Sequence, residues 1–114
     1  MARYVCSFSV ANPPEDLHHS LIDVLNSCNF DIIYHTPDYL MAREIPGQIS
    51  FSKLVTAEIL IDKDIIGNNE VRMNLVLKNE ELPLQINNHC HQIFDLVKAA
   101  FLDHSQWQIL DRVG

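Results

Sequence analysis

The segment Val71 to Lys78 alternates in character and is followed closely by a long amphipathic stretch. Val71, Met73, Leu75 and Leu77 fall on one side of an extended chain. Arg72, Asn74 and Lys78 fall on the other, and Val76 breaks the pattern. From about Gln85 to Asp103 the apolar period becomes helical. A chain that carries these two periods in succession has to bury one face of a sheet beneath a helix.

The remaining elements follow from the same two periods. Tyr4, Cys6, Phe8 and Val10 alternate with Arg3, Ser7 and Ser9, which predicts a first strand; Val5 is its exception. Asn12-Pro13-Pro14-Glu15 predicts a helix start, with Asn12 as cap, Pro13 in the first helical position and Glu15 as a capping-box acid. Leu17, Leu21, Val24 and Cys28 carry that helix from Pro13 to Cys28, and Asn29 suits a left-handed stop. Strands are predicted over Phe30 to His35, Tyr39 to Ile45, within Ile49 to Asp62, and over Val71 to Lys78, with turns at Thr36-Pro37-Asp38 and Pro46-Gly47-Gln48. Short connections favour an antiparallel meander for strands two to five. The expected fold is a two-layer α+β sandwich, β-α-β-β-β-β-α, with a mostly antiparallel sheet and two helices on one face. The partner of strand one, strand two or strand five, is left open.

Composition narrows the functions. The 114 residues suit one core and a single domain, 1–114, with 105–114 as a tail available for docking. A formal charge of −7 argues against nucleic acid and against an anionic membrane surface as partners. No apolar run approaches bilayer length, and Met1-Ala2-Arg3-Tyr4-Val5 lacks a signal-type apolar stretch, so the expected location is cytoplasmic. Cys6, Cys28 and Cys90 are odd in number and widely spaced on apolar faces, as free buried thiols are.

No residue pattern specifies a catalytic, cofactor or metal site. Asn87-Asn88-His89-Cys90-His91 is the richest polar cluster, but neighbours on a helix diverge by about 100°. The expected arrangement is Cys90 in the core, His91 in water and His89 bonded at the edge. His18-His19, near the start of the first helix, includes the one partner conceivable for His89 in a shared metal site. Glu44 and Glu58 are read as water-facing strand residues, with Glu58 within cross-strand reach of Arg43 or Arg72.

The last helix carries more apolar surface than a sheet requires. Ile86, Cys90, Ile93, Phe94, Leu96, Val97, Ala100 and Phe101 span an arc of about 160° where about 100° suffices. The tail adds Trp107, Ile109 and Leu110. The leading expectation is therefore a non-enzymatic protein-interaction, regulatory or adaptor domain. Its partner is a protein or a second copy in a homodimer, and the contact residues are Phe94, Leu96, Phe101, Trp107, Ile109 and Leu110. Trp107 is expected to serve association more than folding. One alternative is a small-molecule binding domain with an apolar cavity between sheet and C-terminal helix, lined by Tyr34, Tyr39, Met41, Met73 and His89. A second alternative is a metal-dependent enzyme.

Overall fold

The structure is a computed structural model that describes residues 1–11, 17–47, 49–62, 70–82, 88–103 and 108–113, with only the backbone described at 70 and 108–113. Six strands form one sheet: β1 (Ala2–Ala11), β2 (Phe30–Thr36), β3 (Tyr39–Glu44), β4 (Thr56–Asp62), β5 (Glu70–Asn79) and β6 (Gln108–Val113). Their spatial order is β2-β3-β4-β5-β1-β6, and every pairing is antiparallel. Helices α1 (Leu17–Ser27) and α2 (His89–Leu102) cover one face of this sheet, α1 over β2 and α2 over β1 and β5. This is the expected two-layer α+β sandwich. The sixth strand is an addition, built from the segment read as a docking tail.

Strand one pairs with strand five. Cys6 lies opposite Leu75, Phe8 opposite Met73 and Val10 opposite Val71, so the apolar sides of two ten-residue strands coincide. A one-residue slip would turn one of these rows outward. Ala57, Ile59 and Ile61 continue the rows on β4, and Leu40 and Ala42 do so on β3. Leu17, Leu21, Val24 and Leu25 of α1 and Cys90, Phe94, Val97 and Phe101 of α2 close over them.

The boundaries have local causes. Asn29 adopts φ 69°, the left-handed stop expected after α1. Asn12, Pro13, Pro14 and Glu15, the expected start of that helix, lie outside the described residues. The last helix is described from His89, where Asn88 is extended and its side chain caps the first turn; Gln85, the expected onset, lies outside the described residues. The fourth strand falls within Ile49 to Asp62 as expected, and a 3-10 turn at Phe51–Lys53 precedes it.

Two consequences concern stability. Leu75 and Val97 are fully buried at the centre of the two layers. Leu75→Ala should cost about 2–4 kcal/mol in denaturant melts and Val97→Ala somewhat less. Removing residues 106–114 strips β6 from β1 and leaves β1 as a bare edge. That truncation should lower stability by roughly 1–4 kcal/mol through lost ladder bonds, with scattering that rises on heating; an unchanged melt would mean that β6 contributes nothing.

Candidate functional site

Polar side chains gather in two places: at the N-terminal end of α2, and on the sheet face that no described helix covers.

The N-terminus of α2 presents backbone donors that the helix cannot satisfy itself. No acid stands in its first turn. Glu81, just beyond β5, supplies one from outside: its carboxylate accepts from the backbone N–H of His89 at 3.1 Å and of Cys90 at 2.9 Å. Asn88 Oδ1 takes the third donor, His91 N–H, at 3.1 Å. Asn79 Nδ2 donates to Glu81 Oε1 at 2.5 Å and to the Lys53 carbonyl at 2.9 Å. Burial works to raise the Glu81 carboxyl, but the hydrogen bonds from Asn79, Cys90 and His89 outweigh it and hold the group below the ordinary carboxylate value. Asn88 Nδ2 reaches Tyr4 Oη at 3.1 Å, and the Tyr4 ring stacks on Phe94.

His89 completes this corner. Its Nε2 lies 2.9 and 3.0 Å from the two Glu44 oxygens, and Glu44 Oε1 also accepts from Val55 N–H at 3.0 Å. Glu44 is thus buried under α2 rather than facing water, because its place in β3 puts it on the helix-covered side beside Phe30. Cys90 is fully buried, and burial with the nearby Glu81 and Glu44 charges pushes its thiol up to about 12. It is therefore protonated and no nucleophile at neutral pH. His91 is exposed, 3.5 Å from Asp95. Among the described residues, no group of three His, Cys, Asp or Glu side chains is placed to hold a metal ion. His18 is bonded to the Thr36 carbonyl at 2.7 Å, on α1. The chemistry of this corner is that of a helix cap tied to three strands.

The open face has a different character. One rung, read across β1, β5, β4, β3 and β2, is Arg3, Lys78, Thr56, Arg43 and Asp31. The next is Val5, Val76, Glu58, Met41 and Tyr34, followed by Ser7, Asn74, Leu60, Tyr39 and Thr36. Val5 and Val76, the two breaks in alternation, are direct cross-strand neighbours here. Tyr34 is 56% and Leu60 46% exposed. Glu58 stands amid these apolar groups with Lys78 Nζ at 2.5 Å and Tyr39 Oη at 2.7 Å. Its carboxyl is held below its ordinary value by Lys78 first and Tyr39 second. Burial and the bond to Glu58 push the Tyr39 phenol up to about 12. The expected partners Arg43 and Arg72 do not reach Glu58, because Lys78 is its diagonal neighbour on β5 and Arg72 stands two rungs away beside Asp62.

The residues predicted to line a cavity do not converge. Tyr34, Tyr39 and Met41 share the open face, Met73 is buried beneath the helices, and His89 sits at the capped end. The register of β3 decides this, since it sends Leu40 and Ala42 inward and Tyr39, Met41 and Arg43 outward. Phe94 and Phe101 are core residues, so the wide arc of α2 is spent on β1 and α1; Leu96 alone of the three helix residues is exposed, at 52%. Trp107 lies outside the described residues, and Ile109 and Leu110 belong to β6, whose side chains are not described. The outer-face cluster of Val5, Val76, Leu60, Met41 and Tyr34 was missed, although Val5 and Val76 signalled it. No helix of the described residues is long and apolar enough to cross a membrane. The chain matches no known protein-family model and no curated protein.

The Glu81 cap yields a pH signature. A carboxyl whose folded value is depressed adds stability above its unfolded value, ordinarily 4.5, and loses it as the pH falls through the folded value. Glu81→Gln should cost roughly 1–2 kcal/mol at neutral pH. The gap from wild type should narrow below about pH 4, which urea melts across an acid series measure directly.

Proposed function

We propose that this chain is a non-enzymatic protein-interaction domain that docks through its open sheet face, and that the occupant is a second copy of itself. The supporting observation is the group of apolar side chains on that face, exposed Val5, Tyr34 and Leu60 with half-buried Met41 and buried Val76, set around the Glu58–Lys78 pair, while the opposite face is filled by its own helices. Apolar groups gathered in one exposed patch favour association when rimmed by polar residues.

Electrostatics support the same reading. The charge at the centre of the patch is already paired, Glu58 with Lys78, so a partner need not supply a counter-ion to bury it. One end of the face carries Arg3, Arg43 and Lys78 against Asp31; the other carries Asp38 and Asp62 against Arg72. A two-fold axis lying across the strands lays the cationic end of each copy over the acidic end of the other and sets each apolar patch on itself. Such an isologous contact uses one surface twice.

Sedimentation equilibrium over micromolar to high-micromolar concentration tests this reading. The wild type should dimerise, and Leu60→Glu combined with Tyr34→Glu should weaken dimerisation at least about tenfold with little change in melting temperature. A wild-type chain that stays monomeric throughout overturns the proposal. So does a dimer that the double variant leaves intact, since its interface would then lie elsewhere.

A further inference from the structure

We infer that a cleft at the cationic end of the sheet is a binding site for a small organic anion: a phosphate or carboxylate group joined to a flat apolar ring. The cleft has a volume of about 350 Å³ and runs between the 3-10 turn at Phe51–Lys53 and the adjoining ends of β3, β4 and β5. That volume is in the range of small-ligand sites. Its walls include Arg43, Phe51, Ser52, Thr56, Lys78 and Glu80.

Each wall residue contributes a definable property. Arg43 is exposed, and among the described residues no carboxylate lies within ion-pair distance of its guanidinium, although Asp31 is opposite it on β2. A free guanidinium presents a planar fork of donors that fits phosphate or carboxylate. Lys78 uses its ammonium on Glu58 and keeps further N–H donors, since an ammonium has three. Ser52 and Thr56 add hydroxyl donors. Phe51 is 83% exposed on the 3-10 turn, an aromatic ring with little of its own chain to pack on, at the edge of this cationic cleft. A flat ring laid against it would remove both surfaces from water. In a chain of net charge −7, a cleft with two cationic walls is a local reversal of the field. Glu80 faces the same cleft and opposes a high ligand charge, which favours one small anionic group over a polyanion.

The site needs only one copy, but it shares Arg43 and Lys78 with the face proposed for self-association, so the two are tested separately. The test is a ¹H–¹⁵N NMR titration of the full chain with phenyl phosphate and, separately, benzoate, with inorganic phosphate and phenol as controls. A ring-bearing anion should give saturable shifts at residues 51–56 and 78–80, and the stronger of the two probes identifies the anionic group. Arg43→Gln should weaken that binding about tenfold, the loss expected for a charge-assisted hydrogen bond. Phe51→Ala should weaken the ring-bearing probes and leave inorganic phosphate unaffected, whereas Glu80→Gln should tighten every anion. Arg43 and Phe51 are exposed, so both variants should melt like the wild type. The titration is run on the wild type and on the variant carrying Leu60→Glu and Tyr34→Glu: binding of a ring-bearing anion in that variant but not in the wild type would mean that self-association covers a real site, whereas no saturable binding in either overturns the site. Affinity that Arg43→Gln does not change, or phenol binding as tightly as phenyl phosphate, would also overturn it.

Discussion

The junction between β5 and α2 hangs on one carboxylate. Glu81 accepts from Asn79 Nδ2 at the end of the strand and from two backbone donors at the start of the helix, so it joins the two elements directly. A helix end buried without partners is costly, and here His89, Cys90 and His91 all have theirs. The negative charge also meets the positive end of the helix dipole. Once α2 is seated in this way, Cys90, Phe94, Val97 and Phe101 fall at one-turn spacings onto β1 and β5. His89 then reaches Glu44 on β3, and Asn88 reaches Tyr4 on β1. One cap thus sets the axial position of the helix against three strands.

A second constraint follows from the helices occupying one side only. β1, β3, β4 and β5 fill the inner layer in continuous register with one another, β2 adds Phe30, and the outer layer is left to whatever the alternate positions supply. A wholly polar outer face would be the simplest solution in water. This chain instead places Val5, Val76, Met41, Tyr34 and Leu60 there, centred on an ion pair already closed within the same copy. The arrangement lowers the desolvation cost of covering the patch.

The inner layer was readable from sequence because two strong periods describe it. The alternation in β1 and β5 and the one-turn spacing in both helices gave the layer architecture, and Asn29 marked the end of α1. Cys90, His89 and His91 fell as their angular positions on a helix demand. What could not be read depends on contacts between distant residues. Glu44 looks like any exposed strand acid until β3 and α2 are brought together, since burial is made tolerable by Val55 N–H and by His89, 45 positions away. The start of α2 is not legible locally, because its capping acid, Glu81, is not a residue of the helix. The sixth strand escaped because a six-residue edge strand carries little periodic signal and takes its register from β1. The outer patch was visible as two isolated exceptions, Val5 and Val76; only the β1–β5 register turns them into a pair.

The two edges of the sheet differ from its outer face in regularity. An uncapped strand edge offers a row of unpaired donors and acceptors and invites ladder formation with another chain. One edge here is β6, which shields β1 with a register shift between Ser9 and Val10. The other is β2, which shifts register between Ile32 and Tyr34 and carries exposed Asp31 and His35. Bulges twist an edge away from a flat template, and charge at an edge makes a neighbouring strand costly. With both edges irregular and the inner face filled by α1 and α2, edge-to-edge pairing loses its geometry. The apolar outer rungs keep theirs, because they lie at the centre of β1, β5, β4 and β3, where the register is continuous. The same irregularity that guards β2 also turns Tyr34 back into line with Met41 on the outer face, where its ring centroid lies 6.1 Å from that of Tyr39.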